Sequence, residues 1–461
     1  MPLRNVTSDQ LNFFQRIWFS IFPGTRRGPI DRERYRQLFN GLLLHFRPRT
    51  VPERTLKFTL TWGLGGMAVV LVGILFLTGL MLKFTYQPVP GRAYESVVYL
   101  QNMVYFGQLI RNLHHWSGNA LLLVVFLHLL RVFFSGAFHP PRQFNWLLGL
   151  VMFLLTLVSN FTGYLMPWDQ LAYWAVTICT GMLEYIPGFG ISLQKLIRGG
   201  NDIGPATLSI FFAIHTAIIP AGLIILMPFH FWRVRKARGL VIPRRPDEDP
   251  QDRAEMVATI PNLVVRELVV ASVLIALLLI FSILLNAPLE AKANPGLSPN
   301  PTKAPWYFAG LQELLLHFHP LFAVLIIPAV ILGLLFILPY LRYDADTAGV
   351  WFVSRQGRKS AVIAAVIGAV ISAVYIVADE YIIDFAAWLP AVPPVVSNGL
   401  LPSALVLAGI IGFYWCIKKR YCTVNNEAVQ ALFVLVLSAF VVFSIVGIWF
   451  RGVGMALNWP W

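Results

Sequence analysis

Long apolar runs alternate with short polar connections along most of this chain. Roughly 20 apolar residues span a bilayer as a helix, and nine runs of suitable length can be counted. They lie near residues 58–84, 108–134, 146–166, 207–232, 263–285, 320–341, 360–378, 400–417 and 428–449. The pattern predicts an all-α polytopic membrane protein with about nine membrane-spanning helices.

Polar stretches divide these runs into groups. The first 57 residues are rich in arginine and lack the pattern of a cleavable signal peptide, and residues 11–21 predict an amphipathic surface helix. A second polar stretch, rich in proline, arginine and aspartate, follows the fourth run. The expected segments are an arm at 1–57, a four-helix unit at 58–235, a linker at 236–262, a second module at 263–390 and C-terminal helices at 391–461.

Charge is scarce and unevenly placed. Hydrophobic residues make up 57% of the chain and charged residues 13%, with a formal net charge of +14. Such an excess could indicate nucleic-acid binding, but most lysines and arginines fall in the arm and in loops that nine spans place on one side. This is the positive-inside pattern. It predicts a cytoplasmic N-terminus and contact with membrane lipid, and no nucleic-acid partner.

Two pairs of histidines lie on separate apolar runs at nearly equal intervals. His114 and His128 are 14 residues apart, and His215 and His230 are 15 apart, which at 1.5 Å per helical residue gives about 21 and 22 Å. Each helix thus offers one imidazole near each membrane face, and facing pairs could ligate two haem irons, His114 with His215 and His128 with His230. The alternative is that each histidine is a hydrogen-bonded polar residue within the membrane.

Glycines repeat the same interval on two further runs. A flat macrocycle needs helix surfaces without side chains, and the pairs Gly65 with Gly79 and Gly149 with Gly163 are each 14 residues apart. They predict one glycine from each helix at each haem level. The alternative is ordinary packing of small residues between helices in lipid.

Cationic residues follow the histidines where haem propionates are expected. Arginine can bind a carboxylate through two parallel hydrogen bonds, and the candidates are Arg111, His115, Arg131 and Arg235. For those on the inner side, anchoring by the positive-inside rule is an equal explanation. Only three cysteines occur, with no C-x-x-C-H motif for covalent haem. Any haem is therefore expected to be non-covalent, and an iron–sulfur centre would have to come from a partner.

Several strings resemble one family closely: FGQLIRNLHHWSGNALLLVVFLHLLRVFFSGAF, FTGYLMPWDQLAYWAVTICTG, LIRGG and FFAIHT. They are similar to cytochrome b of the Rieske/cytochrome b quinol oxidoreductases, particularly the bf type. Residues 263 to about 380 resemble its separate subunit IV, here fused into the chain.

The resemblance implies a dihaem subunit that oxidises quinol at the outer side of the membrane. One electron would pass to a Rieske iron–sulfur protein and on to cytochrome c or another haem subunit. The other would cross through the two haems to an inner quinone, with charge movement. A homodimeric complex is implied, in a bacterial or archaeal plasma membrane or a photosynthetic membrane.

The resemblance also implies two quinone sites. Quinol oxidation is expected near the outer haem, His114 with His215, between a Pro167-Trp168-Asp169 turn and a Pro305-Trp306-Tyr307 loop. The inner haem would be held by His128 and His230, with Arg235 and Lys236 at the inner quinone site.

Two positions depart from the family pattern. Pro305 replaces the glutamate that accepts a proton from quinol in the family, so Glu313, about two turns onward, is the expected substitute. Gly63 replaces the cysteine that attaches a third haem in the bf type, and no covalent third haem is expected there.

Two other classes of protein stay open on sequence alone. A dihaem membrane anchor of a dehydrogenase or hydrogenase would explain the histidines, but it needs neither the Pro167 turn nor the Pro305 loop. A non-redox transporter would explain nine spans without explaining the histidine spacing.

Overall fold

The computed structural model describes residues 12–21, 50–237, 239–242, 255–343, 352, 354–421 and 424–459. Much of the expected arm at 1–57 and part of the linker at 236–262 lie outside the described residues. Short elements flank the spans. They are the helices Phe13–Ile21, Phe58–Thr61, Ala93–Met103, Gln170–Gly181, Gly190–Arg198, Ala309–His317 and Phe385–Trp388, and the 3-10 turns Glu53–Leu56, Met182–Tyr185, Trp306–Phe308 and Val453–Met455.

Nine helices within the described residues are long and apolar enough to cross a membrane. In chain order, spans one to nine are Leu64–Lys83, Gly107–Phe134, Gln143–Tyr164, Pro205–Lys236, Thr259–Leu284, Leu321–Tyr340, Arg355–Tyr381, Val396–Tyr421 and Asn425–Trp449. The predicted fold class and the number of spans are confirmed. Helices form here because lipid offers no partner for backbone N–H and C=O groups, so each segment must satisfy its own.

Spans one to four pack against one another, and span five packs on spans one and two. Span seven lies along span nine, which also contacts the short helix Ala309–His317. Outward faces carry exposed apolar side chains such as Leu277, Leu334 and Val374. These faces suit contact with lipid, where the apolar surface needs no protein cover.

Three spans contain a π-helical turn, and each turn lies just before a proline. The turns are Ile214–Ile218, Leu321–Ile326 and Val396–Leu400, and the prolines Pro220, Pro328 and Pro402 each follow two residues after a turn ends. A proline lacks the backbone N–H and its ring crowds the carbonyl four residues earlier. A wider turn relieves this crowding, and such turns are common at functional sites.

The two ends of the bundle differ. The end that holds His128 and His230 is covered by the predicted amphipathic helix, which is confirmed as Phe13–Ile21. There Ser20 Oγ lies 2.8 Å from the hydroxyl of Tyr340, and Arg233 donates to the Ser20 carbonyl at 2.7 Å. Strands Thr50–Pro52 and Met256–Ala258 pair antiparallel, with Thr50 opposite Ala258.

The end that holds His114 and His215 is built differently. Residues 285–305 form a loop over it, and backbone hydrogen bonds tie that loop to the Trp168 turn. Gln170 donates to the Ala291 carbonyl at 2.8 Å, and Ala293 donates to the Trp168 carbonyl at 3.1 Å. This loop, with the helix Gln170–Gly181 and the 3-10 turn Trp306–Phe308, frames the candidate site.

Candidate functional site

His114 and His215 face each other across the four-helix unit. Their ring centroids are 6.2 Å apart, with the ring planes at 75°. Two imidazoles bonded at about 2.0–2.1 Å to opposite sides of one metal ion need a centroid separation of about 6 Å. The spacing therefore fits a single iron held between the two rings.

Hydrogen bonds orient both rings for this role. His215 Nδ1 lies 3.0 Å from the carbonyl oxygen of Ser159, which can only accept, so this nitrogen carries the proton. The Thr78 hydroxyl donates to the Ile74 carbonyl at 2.7 Å, so its oxygen accepts from His114 Nδ1 at 2.9 Å. Each Nε2 is thereby left with a lone pair, as in metal-bound histidines whose other nitrogen is hydrogen-bonded.

The π-helical turn in span four explains the unequal histidine intervals. His215 lies within Ile214–Ile218, and a π turn inserts one residue relative to α-helix. The 15 residues between His215 and His230 thus cover the same number of turns as the 14 between His114 and His128. Pro220, two residues after the turn, is the feature of the sequence that could have indicated it.

Each of the four predicted glycines lies beside one histidine. A Cβ at Gly79 would stand 3.1 Å from His114 Cε1, and one at Gly163 would stand 2.6 Å from His215 Cε1. A Cβ at Gly65 would lie 3.7 Å from His128 Cε1, and one at Gly149 would lie 3.8 Å from His230 Cε1. The glycines thus sort into the two expected levels, and the room their missing Cβ atoms leave is bordered by the histidine rings.

A cavity of about 1480 Å³ opens at the His114 level. It is lined by both histidines of that level and extends to the predicted quinol-site residues Pro167, Asp169, Pro305, Trp306 and Tyr307. Arg111 and His115 also line it. One continuous space therefore joins the candidate haem site to the candidate quinol site.

The walls of this cavity are fixed by polar contacts. The indole N–H of Trp306 donates to Asn119 Oδ1 at 2.7 Å. Asp169 caps the helix Gln170–Gly181 by accepting from the Ala172 N–H at 2.9 Å, and its other oxygen accepts from the Glu290 N–H at 3.1 Å. Burial raises the pKa of Asp169, and these two backbone hydrogen bonds oppose that rise.

Two predicted quinol-site residues do not line the cavity. Trp168 is buried among apolar residues and packs edge-on against Tyr173, with ring centroids 5.6 Å apart. Glu313 is fully buried, and Arg451 donates to its carboxylate at 2.6 to 3.2 Å. Its side chain is directed towards the segment after span nine, and it does not line the cavity that Pro305, Trp306 and Tyr307 border.

Glu313 belongs to a buried charge cluster, defined here as Glu313, His317, Asp379, Glu380 and Arg451. His317 lies 3.1 Å from Glu313 and 2.6 Å from Asp379, and Arg451 lies 2.7 Å from Glu380. Burial favours the neutral form of Glu313, but hydrogen bonds from His317 and Arg451 outweigh it and lower its pKa. Burial likewise opposes the charge on His317, but Asp379 and Glu313 raise its pKa.

The cationic side chains predicted to lie near the haem propionates and the inner quinone fall into two groups. Arg111 donates to the carbonyls of Ala287 and Pro288 at 2.8 and 2.6 Å, so it anchors the loop over the cavity. Arg131 donates from Nε to the Leu60 carbonyl at 2.9 Å, while its buried Nη2 has no partner among the described residues. Arg235 Nη1 is also buried without a partner there, and Lys236 lies over the Trp232 ring.

These unpaired guanidinium nitrogens bear on the cofactor. A buried donor without a partner costs about 1–3 kcal/mol, so a chain that retains two of them near His128 and His230 suits an anionic group at that level.

Gly63 lies at the start of span one with φ of 64°, and a Cβ there would stand 3.1 Å from Val270. A side chain at that position would be strained.

Comparison with known proteins identifies the first half of the chain. The sequence model of the family Cytochrome b/b6/petB matches residues 52–238. Cytochrome b6 of Synechococcus elongatus is 42% identical over 173 residues, which is 38% of this chain and 80% of that protein. Cytochrome b6 of a Desmonostoc species is 40% identical with the same coverage.

Comparison of structures extends the likeness beyond these residues. A chain of a hyperthermophilic respiratory Complex III superposes with a TM-score of 0.62 and 21% identity. The match covers 90% of this chain and 97% of the other, so the fold is shared through the later spans as well. From the identity to cytochrome b6 over four fifths of that protein's length, this chain belongs to the cytochrome b family.

Proposed function

We propose that this cytochrome b is the dihaem membrane subunit of a quinol:cytochrome c oxidoreductase. Its family makes it a b-type haem protein and a component of a quinol oxidoreductase complex. In the proposal, quinol is oxidised in the cavity at the outer, positive side. One electron passes to a Rieske partner, and the other crosses by way of two haems to a quinone at the inner side, with charge translocation.

The observation that carries the proposal is the single cavity shared by His114, His215 and the residues Pro305, Trp306 and Tyr307. A quinol bound there would have no protein layer between its ring and the iron site. The largely apolar walls would limit contact of the reacting group with bulk water. A membrane anchor that only relays electrons has no need of a cavity that extends from one haem to the Pro305 loop.

The haem sites follow from the histidine geometry. His114 and His215 would hold the outer haem, and His128 and His230 the inner one, and a haem held by two imidazoles suits electron transfer. Each haem, when bound, would accept and release one electron. Gly79 and Gly163 at one level, and Gly65 and Gly149 at the other, let the histidine rings lie against neighbouring helices.

The unpaired nitrogens of Arg131 and Arg235 support propionate binding at the inner haem. Arg235 and Lys236, at the end of span four, would also meet an inner quinone. At the outer level Arg111 and His115 line the cavity, although two of the five N–H donors of Arg111 are engaged by the loop. Its remaining donors could reach a propionate.

The proposal includes an assembly and an orientation. A Rieske protein would supply the iron–sulfur acceptor, cytochrome c or another haem subunit would follow, and two copies of the complex would form a dimer. The N-terminus would face the cytoplasm. Residues 58–235 would act as the dihaem unit and 263–390 as the subunit IV-like part, linked by 236–262 and followed by the helices of 391–461.

Spectroscopy with a quinol substrate tests this function. Duroquinol added to membranes that contain the complex should reduce b-type haem, and a stigmatellin-like inhibitor that fills the outer cavity should block transfer to cytochrome c. If cytochrome c is still reduced in the presence of the inhibitor, the chain would instead be a dihaem membrane anchor that relays electrons. A reduced-minus-oxidised spectrum without b-type haem would reject both.

A further inference from the structure

The cavity lacks the carboxylate that the family pattern leads one to expect at position 305, because Pro305 has no titratable group. Among the described residues that line the cavity, two carry carboxylates, Asp169 and Glu290. A general base needs a free acceptor within reach of the proton it removes. The two residues differ sharply in this respect.

Asp169 is committed to structure. It is 7% exposed, one of its oxygens caps the helix Gln170–Gly181, and the other accepts from the backbone of the loop. Protonation would weaken both hydrogen bonds, since each uses a carboxylate oxygen as acceptor. Asp169 therefore positions the turn and the loop rather than exchanging protons.

Glu290 is free by comparison. Its side chain is exposed yet lines the cavity, and its carboxylate makes no hydrogen bond or ion pair with the described residues. Its backbone, by contrast, is held on both sides. The backbone N–H of Glu290 donates to the Asp169 carboxylate. On either side, the Pro288 carbonyl accepts from Arg111 and the Ala291 carbonyl accepts from the Gln170 N–H.

Charged groups line the cavity that Glu290 faces. Arg111, Lys83 and Lys303 border the same space, and Asp169 is the other carboxylate there. Lys292, two residues onward, is paired with Glu95 at 2.5 Å on the exposed surface.

We propose that Glu290 is the proton acceptor of quinol oxidation in this chain, an inference that rests on the proposed function. Oxidation of quinol to quinone breaks two O–H bonds and releases two electrons. One proton forms an O–H bond to a carboxylate oxygen of Glu290, and the other passes to water at the solvent-exposed side of the cavity. The two electrons leave for the one-electron acceptors of the proposed function, the Rieske centre and the outer haem. Because the side chain reaches solvent, the proton is then released to outer water.

The test compares variants in membranes that contain the whole complex, with duroquinol as donor and cytochrome c as acceptor. General acid–base catalysis contributes about 10²–10⁴-fold, so Glu290→Gln should slow turnover by about 100-fold or more with an unchanged b-haem spectrum. Glu95→Gln, which removes an exposed carboxylate at the same end, is the matched control and should keep wild-type turnover.

Two further arms separate proton transfer from structure. Glu290→Ala should regain turnover when formate is added, because a small carboxylate can enter the open position. Glu290→Asp, which keeps a carboxylate, should also retain part of the turnover that Glu290→Gln loses. If Glu290→Ala turns over slowly and formate does not restore the rate, the Glu290 side chain has a structural role only, and the inference is overturned.

Wild-type turnover in Glu290→Gln would overturn the inference outright. If duroquinol fails to reduce the haems of the wild-type complex, the proposed function itself fails. The two failures are thus distinguished by the wild-type measurement.

Discussion

Alanine at Gly163 should weaken the outer haem site far more than alanine at Gly149 weakens the inner one. The new Cβ at Gly163 would stand 2.6 Å from Cε1 and 3.1 Å from Nδ1 of His215, whereas carbon atoms pack at about 3.5–4.0 Å. The ring would have to move by about 1 Å to restore that separation. At Gly149 the Cβ would lie 3.8 Å from the His230 ring, which is an ordinary contact.

The size of the effect follows from the cost of overpacking. Forcing an extra methyl group into a packed site costs about 1–3 kcal/mol, which corresponds to about a 5- to 150-fold loss of haem affinity. Gly79→Ala, with a Cβ 3.1 Å from the His114 ring, should fall between the two. Gly65→Ala should behave as Gly149→Ala does.

The assay is a redox titration of the purified protein followed in the visible spectrum, together with the haem content per chain after dilution. Gly66→Ala is the control on span one, because no atom lies within 4 Å of a Cβ at that position. Equal loss of haem from Gly163→Ala and Gly149→Ala would contradict the importance of the Gly163 contact with His215. So would full retention of both haems in Gly163→Ala.

Three other predictions concern the inner haem and the buried charge cluster. His128→Ala should abolish the inner haem in the difference spectrum while outer-haem absorbance persists, and two intact haems would refute the pairing. Arg451→Met should lower the free energy of unfolding by about 3–5 kcal/mol, because buried carboxylates lose their partner. Glu95→Gln, which breaks a half-exposed pair, should cost at most about 1 kcal/mol in the same denaturant titration. Since the pKa of Glu313 is lowered, its stabilisation holds above its ordinary value of 4.5 and is lost as pH falls below that. Because the pKa of His317 is raised, the stabilisation that protonated His317 provides holds below its ordinary pKa of 6.5 and is lost at higher pH. The thermal midpoint should therefore peak between these values, and a monotonic pH profile would contradict the assignment.

Local patterns in the sequence were enough to predict the spans. They also pair the histidines by level, and the rings of His114 and His215 lie 6.2 Å apart, while the role of all four as haem ligands stays a prediction. Hydropathy depends only on neighbouring residues, and helix geometry converts the interval between His114 and His128 into a distance. The π turn at His215 was not predicted, although Pro220 offers a local signal for it. The interval of 15 residues in span four becomes equivalent to 14 only once that turn is known.

Contacts between distant residues could not be read in this way. The position of Glu313 about two turns after Pro305 suggested a place at the quinol site, but Arg451, 138 positions along the chain, binds its carboxylate. Likewise the position of Arg111 suggested a propionate, while the structure engages it with the Ala287 and Pro288 carbonyls. Glu290 was missed because only the folded loop brings it to the cavity.

Four histidines are proposed to hold two haems in this one chain. A pyridine haemochrome measurement on the purified protein, referred to its protein concentration, tests this assignment most directly. Two extractable b-type haems per chain are expected, with none attached covalently. A value of one or fewer would contradict the pairing of His114 with His215 and of His128 with His230.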